Sequence, residues 1–422
     1  MSHTESIRNI LNLKDSNITF SNFFSEEKIK GVESKVFHGK LSYEPLGCYH
    51  CGVTFDDLII KYGFKTSQIK LPNVSGFNTY LRLKKQRYLC AHCNSTFTVK
   101  SNSVMKNCFI SNNTRLAISL ALKDKISEKD IARNHNVSHS TVNRLLDHGY
   151  HNYSPNFNYL PKNICFDEFK SVKAASGAMS FIFCNAENGA IIDIVEDSRL
   201  YKLVNYFLRY TKKARCSVKR IVIDMYSPYI SLIKKVFPKA KIVIDKFHIV
   251  QLFHRSLNKT RIQVMNANKE HYNKFKKYWK LLLKKDSKVN VHDYYYRRNF
   301  KAPMRELDII NFLLDQDHVL KASYKLYQNV LHSINHKNFN TLTTAINDAA
   351  NVSDHMKTSI KTTKKYLLYI KNTFNCLFNN GVIEGINNKT KVIKRIAFGY
   401  RSFLHFRNRI LLSHGLLKIK AT

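Results

Sequence analysis

Two pairs of cysteines near the N-terminus have the spacing of metal ligands. Cys48 and Cys51 form one CxxC unit, and Cys90 and Cys93 form another. A tight turn lets both thiolates of such a unit face the same ion, and two units supply the four ligands of a tetrahedral Zn²⁺ site. The sequence therefore predicts a structural zinc site, with the long segment between the two units folded as its own hairpin or loop.

Two alternatives to a site of four cysteines remain open. The cysteines could be buried free thiols, or His50 and His92, which lie inside the two units, could each replace a thiolate. Four cysteines already complete the shell, so we expect both histidines to be bystanders. The other five cysteines are scattered singly among apolar residues, which argues against a disulfide framework.

Three acidic residues far apart in the chain are candidate ligands of a second kind of metal site. Asp167 lies near the end of the β-type run NICFDEF, Asp224 ends the run VKRIVID, and Glu384 opens a predicted helix. If the two strands are neighbours, their aspartates emerge side by side at one edge of the sheet, and the helix can bring the glutamate back against it. Clustered carboxylates repel one another unless divalent cations neutralise them, and oxygen ligands favour Mg²⁺ or Mn²⁺. Two such ions suit phosphodiester chemistry.

Neighbouring acids compete for these roles. Each aspartate could be an ordinary turn or helix cap. Glu168 could replace Asp167, although alternation along a strand puts the two on opposite faces and only one face can meet the acid of the next strand. Asp245, which ends a further strand in VIDKFHIVQ, could replace Asp224. We expect Asp245 and His248 to support the site from that strand.

The helix that begins near Glu384 continues into a basic segment. Asn387, Lys391 and Lys394 follow Glu384 at positions that share one helical face. The side chains predicted to bind DNA in this segment are Lys391, Lys394, Arg395 and Arg401, with Arg407 and Arg409 extending the charge.

Three short helical segments between residues 110 and 150 have the spacing of a helix-turn-helix. Ser127 opens a capping pattern for the second helix, and Ser138 can cap the third. In the third helix Ser140, Asn143 and Arg144 lie opposite the apolar side, so we predict that they contact base edges in the major groove. An ordinary packing unit of three helices is the alternative.

The segment from about residue 160 to 250 has the pattern of a mixed α/β sheet. After a linker at residues 150–161, three β-type runs predict an antiparallel meander, and two further strands alternate with helices. From Phe247 to about residue 375 the pattern is helical and densely basic. Trp279 and the tyrosines from Tyr294 to Tyr296 could stack on a flipped or terminal base, but packing in the core is the more common fate of such residues.

The charge of the chain indicates a polyanionic partner. Lys and Arg number 69 against 30 Asp and Glu, so the formal net charge is +39. Nucleic acid and anionic membrane are the usual partners of such a protein. No run approaches the roughly 18 consecutive apolar residues of a membrane-spanning helix. The N-terminus lacks the order of a secretion signal, so we expect a soluble intracellular protein without a membrane partner.

Several of these segments together resemble the ISL3 family of bacterial insertion-sequence transposases. ICFDEFK, RIVIDMYSPY, VIDKFHIVQ and GVIEGINNKTKVIKRIAFGYRSFLHFRNRILL are similar, in order and spacing, to the catalytic region of that family. CYHCG and QRYLCAHCNSTFTV are similar to its N-terminal zinc-binding segment. The most specific part is the C-terminal block, in which EGxNNxxKxxKR is followed by GYRxFxxFRxR.

The resemblance implies an RNase H-like core whose DDE triad, here Asp167, Asp224 and Glu384, binds two Mg²⁺ ions, cuts transposon ends and joins the 3′-hydroxyls to target DNA. Its partner would be double-stranded DNA, and because two ends must be paired we expect a homodimer or larger complex, associated with the bacterial nucleoid in the cytoplasm. The predicted parts are a zinc-binding module at 1–105, a helix-turn-helix at 110–150, the first part of the core at 160–250, a helical insertion at 251–375 and the C-terminal helices carrying the glutamate at 376–422.

Two other functions fit the same residues. A non-catalytic regulator built on the zinc module and the helix-turn-helix would bind DNA without cleaving it. A structure-selective nuclease with the same core would cleave junctions without needing particular end sequences and would not rejoin strands. Weakening of binding by salt is common to all three functions.

Overall fold

The chain folds into two compact units, each with its own sheet and hydrophobic core. The computed structural model describes residues 3–54, 56–150 and 153–416, without the side chains of residues 56 and 148–150. The first unit comprises Met1–Ser154, Val172–Ala174 and Lys389–Thr422, and the second comprises Pro155–Ser171 and Ala175–Asn388.

The elements of the described residues are numbered here in chain order. The strands are β1 Ile18–Ile29, β2 Val32–Leu41, β3 Ile59–Val74, β4 Phe77–Cys90, β5 Thr96–Thr98, β6 Asn163–Lys170, β7 Met179–Asn185, β8 Ile191–Val195, β9 Arg220–Ile223, β10 Lys241–Ile244, β11 Tyr295–Arg297 and β12 Ala302–Met304. The helices are α1 His3–Ile10, α2 Asn112–Ala121, α3 Glu128–Asn134, α4 His139–Tyr150, α5 Leu200–Leu208, α6 Lys212–Ser217, α7 Ser227–Val236, α8 Lys246–Ala267, α9 Tyr272–Leu282, α10 Glu306–Leu314, α11 His318–Asn335, α12 Phe339–Asn347, α13 Asp354–Lys365, α14 Leu367–Phe374, α15 Gly381–Ile396 and α16 Phe403–Ser413. Short 3₁₀ helices lie at Asp56–Leu58 and Asp286–Lys288. Among these helices, none combines the length and the apolar character that a membrane crossing requires.

The first unit contains a five-stranded sheet in which β1, β2, β4 and β3 are adjacent in that order and β5 pairs with β4. Between the two cysteine units, where the sequence predicted a hairpin or loop, β3 and β4 pair antiparallel and form a hairpin. Ser75 and Gly76 connect them, both with positive φ, as a two-residue turn between twisted strands requires. The pattern did not predict β1 and β2, because one side of these strands is exposed and rich in charged residues.

Helices α2, α3 and α4 begin at serines, as the sequence indicated for the last two. The Ser127 hydroxyl accepts a hydrogen bond from the Asp130 amide at 3.1 Å, and the Ser138 hydroxyl accepts one from the Thr141 amide at 3.2 Å. Each bond satisfies an amide that the first helical turn leaves without a partner. The predicted starts of α3 and α4 are therefore confirmed.

The second unit is built on a five-stranded mixed sheet with the order β10-β9-β6-β7-β8. Strands β6, β7 and β8 pair antiparallel, which confirms the predicted meander. Strands β9 and β10 run parallel to β6, and helices connect them. Parallel strands need crossover connections of this kind.

An aromatic cluster fills the core beneath this sheet. The ring of Phe207 on α5 stacks on Phe166 at 5.5 Å between centroids and meets Phe183 and Phe237 edge to face, each at 5.1 Å. All four residues are buried. Offset and edge-to-face pairs of this kind add to the free energy gained from burying the rings.

The helices from α8 to α14 belong to the same core as the sheet. On α14, the Asn372 amide group donates to the Ile242 carbonyl at 2.8 Å and the Thr373 hydroxyl donates to the Ile244 carbonyl at 2.6 Å, so this helix covers the edge strand β10. Covering an edge strand leaves its backbone groups with partners inside the unit. The short hairpin of β11 and β12 within this helical segment was not predicted.

Replacing Phe207 with Ala should lower the free energy of unfolding by about 3 to 5 kcal/mol, because the substitution leaves a cavity among close-packed rings. Urea unfolding followed by circular dichroism measures the change. Leu208 is the matched control, since it is the next residue on α5 and is 52% exposed. Leu208→Ala should change stability by less than about 0.5 kcal/mol, and equal losses in the two variants would contradict this account of the core.

Candidate active site and zinc centre

The four predicted cysteine ligands converge in the first unit. The sulfur atoms of Cys48, Cys51, Cys90 and Cys93 all lie within 4.8 Å of one another. Cys48 Sγ lies 3.7 Å from Cys93 Sγ, and Cys51 Sγ lies 3.7 Å from Cys90 Sγ. Zinc–sulfur bonds of about 2.3 Å in a tetrahedron place sulfur atoms about 3.8 Å apart, so the arrangement fits Zn²⁺.

Two similar turns build this cluster. Gly52 and Asn94, each four residues after the first cysteine of its unit, have φ of +78° and +53°. The Cys48 amide donates to the Val53 carbonyl, and the Cys90 amide donates to the Ser95 carbonyl. Hydrogen bonds from the Ser95 side chain and amide lower the pKa of Cys93 to about 6, which favours the thiolate that binds a metal.

His50 and His92 are both exposed, and the four clustered ligand atoms are sulfur. This arrangement agrees with the expectation that the two histidines are bystanders.

A row of three aspartates lies at the carboxyl edge of the second sheet. Cys165 on β6 pairs with Val222 on β9, and Asp167 and Asp224 lie two positions beyond this last pair. Ile223 on β9 pairs with Ile244 on β10, and Asp224 and Asp245 directly follow that pair. The charge of Asp224 acts on the pKa of both Asp167 and Asp245, so the three carboxylates lie close together.

Asp167 is the acid whose ionisation the protein changes most clearly. Strand β6 continues past it to Lys170 beside β7, but the pairing with β9 ends at Cys165. Burial, with a further contribution from the charge of Asp224, raises the pKa of Asp167 to about 6. The Asn387 amide group donates to Asp167 Oδ2 at 2.6 Å and partly offsets that effect.

His248, on the first turn of α8, bridges the other acids. Its Nε2 lies 2.7 Å from Asp224 Oδ1. Burial disfavours the charged imidazole, but the bond to Asp224 and the charges of Asp245 and Asp167 outweigh burial and raise the pKa of His248. Burial also raises the pKa of Asp245, and the charges of Asp224 and Glu384 add to that effect.

Glu384 reaches this cluster from the first turn of α15. One ligand atom each from Asp245, His248 and Glu384 lies within 4.8 Å of the other two. Hard oxygen ligands with one imidazole can hold a divalent cation. The structure therefore brings Glu384 to Asp245 and His248, and connects it to Asp224 through the imidazole. Asp245 and His248, predicted to support the site from the strand, in fact lie at the start of α8.

Two asparagines belong to the site, and the sequence did not mark them as site residues. The Asn380 amide group donates to Asp224 Oδ1 at 3.1 Å, and the Asn387 amide group donates to Asp167 Oδ2. Both residues are buried, and the side-chain oxygens of both are without a hydrogen-bond partner. Asn387 lies one helical turn after Glu384, and this spacing could have identified it as a site residue.

Glu168, the alternative to Asp167, points elsewhere. Its carboxylate accepts a hydrogen bond from the Tyr229 hydroxyl at 3.2 Å. Alternation along β6 therefore separates the two acids as expected.

The side chains predicted to bind DNA differ in exposure. Ser140 and Arg144 on α4 are exposed, as are Lys391, Arg395 and Arg401, whereas Asn143 and Lys394 are half-buried. Asn143 lines a cavity of about 650 Å³ in the first unit, together with Arg401.

The prediction that Arg407 and Arg409 extend the DNA-facing charge is wrong. Arg409 is 1% exposed, and its guanidinium donates to the carbonyls of Asp124 and Ile126 at 2.9 and 2.8 Å. Arg407 is also buried, with its guanidinium 5.2 Å from the ring centroid of Tyr153. These arginines on α16 hold the first unit together instead.

Comparison with known proteins agrees with this arrangement. A family model described as "Transposase" for the DDE domain of ISL3 transposases matches residues 164–410, which is more than half of the chain. The chain belongs to the ISL3 transposase family. A second model, described as the zinc-finger of transposase IS204/IS1001/IS1096/IS1165, matches residues 44–93 and so contains all four cysteines. Both the geometry of the ligands and the family model thus support the predicted zinc site.

Other similarities are more limited. A curated protein of Lactococcus lactis subsp. lactis named "ATP-dependent protease" is 33% identical over 121 residues, which is 29% of this ISL3 family member. The match spans 39% of that relative's length. The solved structure "Drosophila P element transposase strand transfer complex" is similar over 74% of this chain and 94% of that chain, at 11% identity. Its TM-score of 0.34 is too low to carry an argument about fold.

Replacing Cys51 with Ser should remove most of the bound zinc, because the remaining three thiolates leave the tetrahedron incomplete. Metal analysis of the purified protein by inductively coupled plasma mass spectrometry measures the zinc content. Cys108→Ser is the matched control, since Cys108 lies in the same unit outside the cluster. Full zinc content in the Cys51 variant would contradict the assignment.

Binding of Mn²⁺ at the aspartate row should tighten as the pH rises through about 6, because Asp167 must lose its proton to act as a ligand. Below that pH, affinity should fall about tenfold per pH unit for each proton that the metal displaces. The positive charge of protonated His248 repels the metal ion, so protonation of this imidazole also weakens metal binding as the pH falls. Electron paramagnetic resonance of free Mn²⁺ measures the affinity.

Asp167→Asn should weaken binding and flatten this pH dependence. Asp354→Asn, at an exposed acid on α13, should leave both unchanged. An affinity in the unsubstituted protein that is constant from about pH 5 to pH 7 would contradict the raised pKa of Asp167.

Proposed function

We propose that this protein is a DDE transposase that binds the ends of its insertion sequence, cleaves them by metal-dependent phosphodiester hydrolysis and joins the 3′-hydroxyl ends to target DNA. The observation that carries the proposal is the convergence of three distant acids on one histidine. Asp224 contacts His248 directly, and a carboxylate oxygen of Glu384 lies within 4.8 Å of the imidazole. The charge of His248 also lowers the pKa of Asp167.

The topology of the second sheet supports an RNase H-like core. Three antiparallel strands are followed by two strands parallel to the first, with the acids at the carboxyl ends of β9 and β10 and on β6. Open sheets with parallel strands bind their ligands at that edge. We propose that residues 160–250 form this core together with the part of residues 376–422 that belongs to the second unit, up to Asn388, and that residues 251–375 are its helical insertion.

Asp167, Asp224 and Glu384 are the proposed catalytic residues and ligands of Mg²⁺ or Mn²⁺, with Asp245 and His248 beside them. Two divalent cations held there would activate the attacking water or 3′-hydroxyl and stabilise the leaving oxygen. The role of Asn380 and Asn387 is to hold the carboxylates of Asp224 and Asp167 in place through their amide groups. Pre-positioned ligands lower the cost of ordering the site when substrate binds.

Binding of double-stranded DNA is assigned to the basic and helical parts of the first unit. We propose that α2, α3 and α4 form the helix-turn-helix of residues 110–150, with the exposed Ser140 and Arg144 and the half-buried Asn143 reading the major groove. Lys391, Lys394, Arg395 and Arg401 would bind phosphates, as the net charge of +39 favours. The zinc centre would stabilise the module of residues 1–105. A homodimer or larger complex would pair the two ends.

Asp224→Asn should abolish cleavage of DNA that carries the flanking repeats of the element, while leaving binding to those repeats within about twofold. The loss follows because the substitution removes a carboxylate at the centre of the row without adding bulk. Purified protein is incubated with Mg²⁺ and end-labelled DNA, and nicks and joints are mapped by sequencing gels. Asp354→Asn is the matched control and should cleave normally.

The products of this assay separate the possible functions. Nicks at the repeat ends that become joined to target DNA support the transposase. Cleavage of junctions without joining indicates a structure-selective nuclease, and specific binding without any cleavage indicates a regulator. Cleavage and joining by the Asp224 variant at the normal rate would contradict the assignment of the triad.

A further inference from the structure

The hairpin of β11 and β12 presents three consecutive tyrosines to solvent. Tyr294, Tyr295 and Tyr296 are 59%, 53% and 69% exposed. Because side chains alternate along a strand, Tyr295 and Tyr296, the first two residues of β11, lie on opposite faces of the hairpin, and Tyr294 directly precedes the strand. Core packing, the more common fate of such residues, is therefore wrong for these three.

The turn of the hairpin is anchored to the core of the second unit. Phe300 meets Phe312 edge to face at 5.0 Å between centroids and lies 5.6 Å from the ring of Tyr278. Phe300 and Met304 both pack against the buried core. Phe300 and Met304 thus pack against the core, while the three tyrosines are exposed.

Polar contacts hold both ends of the hairpin segment. The Asn290 amide donates to Glu306 Oε2 at 2.8 Å before the first strand. After the second strand, the Arg305 guanidinium binds Asp308 through two hydrogen bonds of 3.0 and 2.8 Å, and it lies 5.1 Å from the ring centroid of Tyr294. Anchored in this way, the tyrosines lose little conformational entropy when a ligand covers them.

Several cations lie beside the tyrosines, together with one acid, Asp293, which accepts a hydrogen bond from the Asn290 side chain at 2.8 Å. Arg297 lies 5.4 Å from the ring centroid of Tyr295, and Arg298 and Lys301 are exposed on the same hairpin. On α9, Lys277 donates to the Asn299 side chain at 3.1 Å and so brings the basic surface of that helix to the turn. This combination of exposed aromatic rings and cations fits a polyanion that carries flat rings of its own.

We propose that this hairpin binds unpaired DNA bases, which stack on Tyr294, Tyr295 and Tyr296 while the adjacent Arg and Lys side chains bind phosphates. Aromatic residues in a basic groove are the general means of binding single strands, and each base–aromatic stack contributes enough to change affinity several-fold or more. Paired bases expose their faces only at a duplex end, so the hairpin would prefer single strands and frayed ends over continuous duplex. The inference goes beyond the proposed chemistry, because it concerns binding that needs no divalent metal.

The test measures binding of the full chain to a fluorescein-labelled oligothymidylate by fluorescence anisotropy, in buffer without Mg²⁺ or Mn²⁺, so that no strand is cut and the zinc centre stays intact. The variant with Tyr294, Tyr295 and Tyr296 all replaced by Ala should bind at least about tenfold more weakly. Replacing the same three residues by Phe should retain most of the affinity, since the rings can still stack.

Tyr201→Ala is the matched control. Tyr201 on α5 is 54% exposed and lies between two cations, Arg199 and Lys202, at 5.4 and 5.5 Å from its ring centroid. The Tyr201→Ala variant should bind the oligothymidylate with the same affinity as the unsubstituted protein. An equal loss in this variant would mean that any exposed tyrosine contributes, and would overturn the specific role of the hairpin.

Stacking itself is measured with 2-aminopurine placed in the oligonucleotide. Its fluorescence should be quenched on binding to the unsubstituted protein and to the Phe variant, but not to the Ala variant. Unchanged affinity and quenching in the Ala variant would overturn the proposal. If that variant instead differs from the unsubstituted protein only in its sedimentation coefficient, the tyrosines form a protein contact, and the proposal is also overturned. Because omission of Mg²⁺ and Mn²⁺ excludes cleavage, failure here is distinct from failure of the Asp224 experiment.

Discussion

Repulsion among carboxylates at one edge of a sheet is the constraint on which the rest of the second unit depends. Asp167, Asp224 and Asp245 lie together at the carboxyl edge of β6, β9 and β10, and burial makes the charges of Asp167 and Asp245 more unfavourable still. Like charges at this distance need an opposite charge or hydrogen-bond donors to remain ionised. The helices around the sheet edge supply both.

The helices that follow β10 supply the histidine and the hydrogen-bond donors that contact these carboxylates. The first turn of α8 delivers His248 to Asp224 as soon as the chain leaves β10. The chain then builds the helices from α8 to α14 before it returns with Asn380, Glu384 and Asn387. Residues from both ends of this long excursion meet the same carboxylates, so the core shared by the sheet and the helices fixes the geometry of the site.

Two buried asparagine side chains at the site each use only part of their hydrogen-bonding capacity. Among the described residues, the side-chain oxygens of Asn380 and Asn387 are buried without a hydrogen-bond partner. A buried unsatisfied group in a native protein calls for an explanation, and the carboxylates bound by the amide groups of these same residues provide one.

The sequence by itself determined the elements whose signal is local. The spacing of the four cysteines predicted the zinc centre, the hairpin between them was expected, and the strand patterns located Asp167 and Asp224, because thiolate pairs and β-type alternation act over a few residues. Only the tertiary structure decided which distant groups meet. Burial of Arg407 and Arg409, the exposure of Tyr294 to Tyr296 and the contact of Asn387 with Asp167 all depend on packing between elements far apart in the chain, which no local pattern encodes.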